Sequence, residues 1–195
     1  MTAIPLSVLD LAPISAGSTA AEALRNTVDL ARHAERAGYR RFWLAEHHLN
    51  PGVAGASPPL IMGAVAQATE TIRVGSGAVQ TGHRTPLSIV EEFGILDALH
   101  PGRVDLGLGR SGGPRTRTEP THTEERVVDG VLIPRPFSFA GLLGSPRFRA
   151  QLELLRQPEA TTPAYDTIVD TVLGLVAGTH RSSEGVEVHA VPGEG

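Results

Sequence analysis

The amino-acid sequence predicts an α/β fold with parallel strands, on the strength of three observations. Short apolar runs alternate with helical patterns over residues 1–110. Each connection between these runs is long enough for a helix, and helical crossovers join parallel strands. The hydrophobic fraction of 41% is large enough for a buried core. A doubly wound sheet and an α/β barrel both show this alternation, and periodicity alone does not separate them.

The first two strands are predicted on either side of a helix. They are expected at 4–9 and 39–45, where apolar residues run together. The helix begins after Thr19, which has the capping-box spacing to Glu22: the hydroxyl accepts from the backbone and the carboxylate reaches back. Gly38 stands where a left-handed residue commonly ends a helix.

Two further helices and two further strands continue the alternation. The helices are predicted at 58–69 and 86–99, and the strands at 72–79 and 103–108. The later helix opens with a proline after Thr85, where the missing proline N–H would have had no helical partner. The predicted order is therefore βαβαβαβ.

The regular alternation stops after the fourth strand. Residues 111–125 are polar and predict a loop, and residues 130–147 predict an irregular excursion packed by its aromatic side chains. Helices are expected at 151–156 and 163–177, and residues 186–191 fit either a strand or a tail.

Composition excludes several classes of protein. The sequence contains no cysteine, which excludes disulfides, thiolate nucleophiles and cysteine-ligated zinc. A formal net charge of -4 argues against a nucleic-acid partner. No apolar run approaches the roughly 18 residues of a membrane span, and no signal-peptide pattern is present. A cytoplasmic location without a membrane partner is expected.

Polar residues and glycines gather at the carboxyl ends of all four predicted strands. Parallel α/β folds bind their ligands at this end of the sheet, so these residues are the candidate site. In chain order they are Asp10, then Glu46, His47 and His48, then Gly75, Ser76, Gly77, Ala78, Gln80 and His83, and finally Gly109, Arg110 and Ser111.

The Glu46-His47-His48 run has three possible roles. A histidine at a strand tip can act as an acid or base near neutral pH, and adjacent strand residues point to opposite faces, so at most one of the two is aimed into a pocket. Zinc is a second possibility, but adjacent ligands fit a metal poorly and no third ligand has a recognisable spacing, so no metal is expected. Thirdly, both imidazoles can be structural groups beside Trp43.

Glycines and one arginine also have alternative explanations. Gly75 and Gly77 would weaken a strand unless something approaches its backbone closely, either a flat aromatic ligand or a bulge or crowding against the next helix. Arg110 can pair with a phosphate or a carboxylate, or it can be an ordinary surface cation.

Four segments in order strongly resemble the flavin-dependent, bacterial-luciferase-like monooxygenases. They are residues 7–14, 38–48, 72–77 and 100–110. The resemblance implies a (β/α)₈ barrel and an oxidoreductase that uses reduced FMN and O₂ to oxidise a small organic substrate. It also implies a separate flavin reductase as partner and a homodimer, with the deazaflavin F420 as the alternative cofactor.

The resemblance also assigns roles to individual residues. His47 matches the catalytic histidine of the family, and Glu46 and His48 match its structural neighbours. Gly77–Ala78 matches a segment that packs on the flavin ring through a cis peptide bond that does not involve proline. The predicted cofactor-binding residues are Asp10, Glu46, His48, Gly77, Ala78, Gly109 and Arg110.

The length departs from the family pattern. We expect a single, truncated luciferase-like domain over residues 1–195, equivalent to about the first half of the barrel. Its parts are a core at 1–110, an irregular segment at 111–150, and a helical segment and tail at 151–195. The alternative function is therefore a non-catalytic flavin-binding or structural, dimeric half-barrel.

Overall fold

The computed structural model describes residues 4–110, 124–134, 146–155 and 159–193. The chain divides into two compact units. The first comprises residues 1–111 together with 161–195, and the second comprises residues 112–160. The candidate site lies in the first unit.

The first unit is built on a four-stranded parallel sheet. Its strands are β1 (Ser7–Asp10), β2 (Arg41–Leu44), β3 (Arg73–Ser76) and β5 (Val104–Asp105). The spatial order β1-β2-β3-β5 follows the chain in one direction. A doubly wound sheet reverses direction at its switch point, so this order has the winding of an α/β barrel. Two short strands, β4 (Val79–Gln80) and β6 (Leu108–Gly109), form a further parallel pair.

Four helices belong to the same unit. They are α1 (Ala20–Arg36), α2 (Pro58–Gln67), α3 (Pro86–Leu99) and α5 (Tyr165–Val176). The predicted capping box of α1 is confirmed: Thr19 Oγ1 accepts from the backbone N–H of Glu22 at 3.2 Å, and the Glu22 carboxylate accepts from that of Thr19 at 3.0 Å. None of the helices in the described residues is long and apolar enough to cross a membrane.

One face of the sheet packs against the helices and forms the core. Phe42, Leu44 and Val74 are buried there against Met62 and Ile89. Successive strand residues point to opposite faces, so the residues between these lie on the other side. That side carries Leu9, Trp43, Gly75 and Asp105, which stand next to one another across the four strands. We call this side the inner face.

The predicted third and fourth strands each appear as two short strands. Gly77 and Ala78 separate β3 from β4. The side chain of Ser76 provides a physical reason: its hydroxyl accepts from the backbone N–H of Gly107 and donates to the Gly107 carbonyl, both at 2.9 Å. A side chain thus takes the place of a backbone partner in the ladder.

Other boundaries also differ from the predictions. Residues 4–6 precede β1 instead of belonging to it. Of the two possibilities left open for residues 186–191, the structure shows a tail with one isolated bridge, from Glu187 to Arg181. Ala190 is instead buried against side chains of α3 and α5. Hydrophobic contact with two helices therefore fixes this segment.

The second unit contains a hairpin that the sequence analysis missed. Strand β7 (Arg126–Val128) pairs antiparallel with β8 (Val131–Ile133). The two residues between them, Asp129 and Gly130, have φ angles of 49° and 77°, as a type I′ turn requires. The unit also holds helix α4 (Pro146–Leu155), which begins earlier than predicted. Residues 111–123 of the predicted loop at 111–125, and residues 135–145 of the predicted excursion at 130–147, lie outside the described residues.

Candidate functional site

A buried carboxylate gathers four donors where β2 and β4 end. Oε1 of Glu46 accepts from Nε2 of His48 at 2.8 Å and from Nε2 of His83 at 3.0 Å. Nε of Arg84 lies 3.4 Å from the same oxygen, and Oε2 accepts from the backbone N–H of Gln80 at 2.8 Å. We refer to these five residues as the Glu46 cluster.

The Glu46 carboxylate is held in its charged form. Burial alone would raise the pKa of Glu46, because its side chain is 0% exposed. The hydrogen bonds from His83, Gln80 and His48, together with the charge of Arg84, outweigh burial and lower the pKa to about 2. An ionised carboxylate only accepts hydrogen bonds, so both imidazoles present an N–H to it.

Backbone and side-chain contacts fix the two segments that carry the cluster. The side-chain amide of Gln80 donates to the carbonyl of Glu46 at 2.6 Å, while the Glu46 carboxylate accepts from Gln80 in return. Arg84 extends the network to α3, where its guanidinium lies 2.7 Å from the Glu92 carboxylate. The strand tips and the start of α3 are therefore tied together.

His47 has different surroundings from His48. Its backbone N–H donates to Gly55 at 2.8 Å, which fixes the chain at this point. Of the buried side-chain nitrogen and oxygen atoms in the described residues, Nδ1 of His47 is the one without a hydrogen-bond partner. His48 thus binds Glu46, whereas the side chain of His47 has a buried nitrogen without a hydrogen-bond partner.

The predicted cofactor-binding segment lies beside the cluster. The Gly77–Ala78 peptide bond is cis, which is what the family resemblance implies. Gln80 and Gly109 are partners in the β4–β6 ladder, and a Cβ placed on Gly109 would lie 3.1 Å from that of Ala78. The structure therefore brings Gly77, Ala78 and Gly109 together next to Glu46 and His48.

Two predicted site residues are placed differently. The carboxylate of Asp10 is buried and accepts from the hydroxyl of Thr27 in α1 at 2.5 Å. Arg110 is exposed at the end of a described range. The structure thus gives Asp10 a structural partner on the helix side and does not bring Arg110 into the Glu46 cluster.

Three atoms of the cluster are close enough to be considered for a metal. One ligand atom each from Glu46, His48 and His83 lie within 4.8 Å of one another. Two facts disfavour a cation: Arg84 approaches the shared oxygen, and the carboxylate already receives its hydrogen bonds from both imidazoles. The chemistry of the donor set is that of a hydrogen-bond network.

Three residues of the Glu46 cluster were not predicted to have a role in the site. Gln80 and His83 were named among the strand-tip residues but were given no role, and Arg84 was not recognised. They approach Glu46 across more than thirty residues of chain, a distance that no local pattern spans. The sequence feature that could have identified them is their position, because they belong to a polar run between the strand tip at β4 and the cap of α3.

The aromatic group that lies on Gly75 belongs to the chain itself. A Cβ placed on Gly75 would be 2.7 Å from Cε3 and Cζ3 of Trp43. A group does approach the Gly75 backbone closely, as predicted, but it is not a ligand, a bulge or the next helix. The indole of the neighbouring strand takes the space.

Comparison with known proteins places this geometry in a family. The sequence model described as luciferase-like monooxygenase matches residues 4–127. A luciferase-like monooxygenase of Escherichia coli (strain K12) is 51% identical over 115 residues, which are 59% of this chain and 34% of that protein. The N-acetyl-S-alkylcysteine monooxygenase of Bacillus subtilis (strain 168) is 47% identical over 110 residues, covering 56% of this chain and 33% of that protein.

A solved structure extends the similarity beyond the matched sequence. The crystal structure of apo-MsnO8 superimposes with a TM-score of 0.70 and 28% identity, covering 97% of this chain and 46% of that one. The chain thus spans about a third of the length of the two curated relatives, and its sheet is part of a TIM-type barrel. On the match over residues 4–127, the chain belongs to the luciferase-like monooxygenase family.

Proposed function

We propose that this chain supplies the first strands of a flavin-dependent monooxygenase that uses reduced FMN and O₂ to oxidise a small organic substrate. The observation that carries the proposal is the buried Nδ1 of His47, which has no hydrogen-bond partner in the described residues. A buried imidazole nitrogen without a partner is costly in a purely structural role. It suits a group that exchanges a proton with a bound reactant.

The residues beside the Glu46 cluster fit a flat, electron-rich ring. Gly77, Ala78 and Gly109 present backbone and at most a methyl group, so a ring can approach closely. When bound, a reduced flavin supplies two electrons, with which one atom of O₂ is reduced to water while the other enters the substrate. His47 would hold or move a proton at Nδ1, and the Glu46 cluster would keep the segments around it in place.

Cofactor and partners are proposed from the family. Reduced FMN would come from a separate flavin reductase, with F420 as the alternative cofactor, and Asp10 and Arg110 stay predictions as cofactor-binding residues. A homodimer would form through α2 and α3, which expose Leu60 (78%) and Leu99 (68%). We propose a cytoplasmic location for the enzyme.

Substitution of His47 tests the proposal directly. We expect His47→Ala to lower substrate-dependent oxidation of reduced FMN by about a hundredfold or more, because a positioned acid or base contributes that much. The measurement is product formation from a long-chain aldehyde and from an N-acetyl-S-alkylcysteine, with an NADH-driven reductase supplying reduced FMN.

His100→Ala is the matched control. His100 caps the far end of α3 and precedes β5, so it lies at the opposite end of the sheet from His47. The control should keep the activity of the parent chain. Equal activity of the parent and His47→Ala would exclude His47 as the catalytic residue.

A second candidate is a flavin-binding or structural half-barrel without turnover. The sheet favours it, because in the described residues β1 and β5 each pair with a single neighbour in the four-stranded sheet. An unpaired strand edge needs a cover, which a second copy can provide. Binding of FMN in a titration, with no product formed from either substrate, would support this second candidate. Light scattering would show whether the chain is dimeric.

A further inference from the structure

The indole of Trp43 fills the space that Gly75 leaves open and lies against two other glycines. A Cβ on Gly75 would collide with it at 2.7 Å, and one on Gly107 would lie 3.5 Å from its Cζ3 atom. One on Gly77 would lie 3.8 Å from its Cε3 atom. These glycines come from β3 and from the segments next to β3 and β5, so the ring lies across the inner face of three neighbouring strands.

Trp43 separates two chemically different regions of the inner face. Towards the amino ends of the strands lie Arg41 and Arg73, whose guanidinium groups bind Asp105 at 2.9 Å and 2.5 Å. Asp105 itself is in the same row across the strands as Trp43. Towards the carboxyl ends, the indole reaches Gly77, which begins the cis peptide. The ring thus covers the boundary between a charged region and the candidate site.

An apolar surface continues from the indole to the neighbouring strand. Leu9 is the register partner of Trp43 in β1, and it is 57% exposed. Its Cδ1 atom would lie 3.1 Å from a Cβ on Gly77. Leu9 and Trp43 therefore flank Gly77 on the inner face, and a ring that lies on Gly77–Ala78 from this side meets both.

We propose that Trp43 is the floor of the cofactor site, a specificity-determining residue whose indole supports the ligand ring and sets the depth of the pocket. This inference rests on the proposed function. Contact between flat aromatic faces favours a flavin-like ring over a flexible aliphatic ligand at this position. The indole also keeps that ring away from the Arg41–Asp105–Arg73 charges.

The test measures the affinity of the whole chain for FMN, with the quenching of flavin fluorescence as the readout of binding. We expect Trp43→Phe to bind FMN within about threefold of the parent, and Trp43→Ala to bind about tenfold or more weakly, since only the first keeps an aromatic face. Val74→Ala is the matched control, because it removes a buried side chain from the other face of the same strand system. It should lower stability and leave FMN affinity unchanged.

A second variant moves the indole without removing it. Gly75→Ala introduces a methyl group 2.7 Å from the ring and should weaken FMN binding, whereas Gly63→Ala in α2 meets only Leu96 at 3.4 Å and should not. Trp43 is the single tryptophan, so its emission and its protection from acrylamide report the displacement. If Trp43→Ala does not fold, Gly75→Ala still tests whether the indole supports the ligand ring.

The outcomes separate this inference from the proposed function. If the parent chain binds neither FMN nor F420, both are overturned. If the parent binds FMN and Trp43→Ala and Gly75→Ala bind it equally well, Trp43 is not the floor and the proposed function stands. Weaker binding by Val74→Ala as well would show that lost stability, not lost contact, is the cause, and would also overturn the inference.

Discussion

At the scale of single residues, Glu46 has the largest structural role in the site. Its one carboxylate joins the tip of β2 to Gln80, His83 and Arg84, which follow in the chain after the cis peptide. Hydrogen bonds to a charged acceptor are stronger than those between neutral groups. The candidate site thus depends on a residue that needs no contact with substrate.

Replacing Glu46 with glutamine changes the shape of the side chain little but should lower the stability of the protein considerably. We expect Glu46→Gln to lower the free energy of unfolding at neutral pH by about 2–4 kcal/mol, because buried donors lose their charged acceptor. Urea unfolding measures this difference. The difference should shrink as the pH falls from 4.5 towards 2, where the carboxylate of the parent becomes protonated.

Glu153→Gln is the control for that substitution. Glu153 is an exposed residue of α4, so the same chemical change should leave stability nearly unaltered. Equal stability of Glu46→Gln and the parent would contradict the structural role assigned to Glu46.

The site residues that could be predicted are those carried by one short segment. Glu46, His47 and His48 follow a strand directly, so the strand-tip rule and the family resemblance both pointed to them. His83 approaches Glu46 through space, and Trp43 meets Gly75 through the register of two strands. Neither contact has a local signature, because register depends on pairing between distant segments.

At the scale of elements, Glu35 near the end of α1 fixes the turn that leads into β3. Its Oε1 atom accepts from three successive backbone N–H groups, those of Glu70 at 2.9 Å, Thr71 at 2.6 Å and Ile72 at 2.9 Å. Burial raises the pKa of Glu35, but these bonds outweigh it and lower the pKa to about 2. One side chain therefore satisfies three backbone N–H groups in the turn that follows α2.

Removing that carboxylate should weaken the connection between α2 and β3. We expect Glu35→Ala to lower the free energy of unfolding by about 2 kcal/mol, since three backbone donors lose their partner, and Glu35→Gln to cost less because one oxygen remains. Chemical unfolding at neutral pH measures both variants. Glu35→Ala with the stability of the parent would show that water satisfies the turn equally well.

The helices were more predictable than the strands for a physical reason. The caps at Thr19 and Thr85 are formed by residues three positions apart, so the sequence displays both partners. The break between β3 and β4 depends on Ser76, whose hydroxyl bonds across to Gly107. An isolated serine in an apolar run does not indicate such a bond.

At the scale of the whole molecule, three carboxylates make the free energy of unfolding depend on pH in the acidic range. The pKa values of Glu35 and Glu46 are lowered to about 2, and that of Asp105 is also lowered because its bonds to Arg73 and Arg41 outweigh burial. A depressed pKa in the folded state stabilises the protein above the ordinary pKa of the group, and that stability is lost as the pH falls through the folded value.

We therefore expect the free energy of unfolding to fall progressively as the pH is lowered from about 4.5 to about 2. Urea unfolding at a series of pH values, at constant ionic strength, provides the measurement. A free energy that stays constant through that interval would contradict the assignment of these three groups as charged in the folded protein.

The fold class was predictable because alternation is a global pattern that small errors in boundaries do not erase. Periodicity alone did not give the direction of winding, but the family resemblance predicted a barrel, and the strand order β1-β2-β3-β5 confirms it. The hairpin at Asp129 and Gly130 was missed although it has a strong local turn signal, because the surrounding prolines and aromatics suggested irregular structure.

The charge cluster on the inner face has a consequence for how the chain is made. Arg41 and Arg73 are direct neighbours across β2 and β3, and Asp105 forms an ion pair with each of them. A ribosome delivers both arginines before that aspartate, so a nascent β2–β3 pair holds two like charges side by side without a counter-ion. Arrival of β5 converts this repulsion into attraction, which favours docking the three strands together over adding them one at a time.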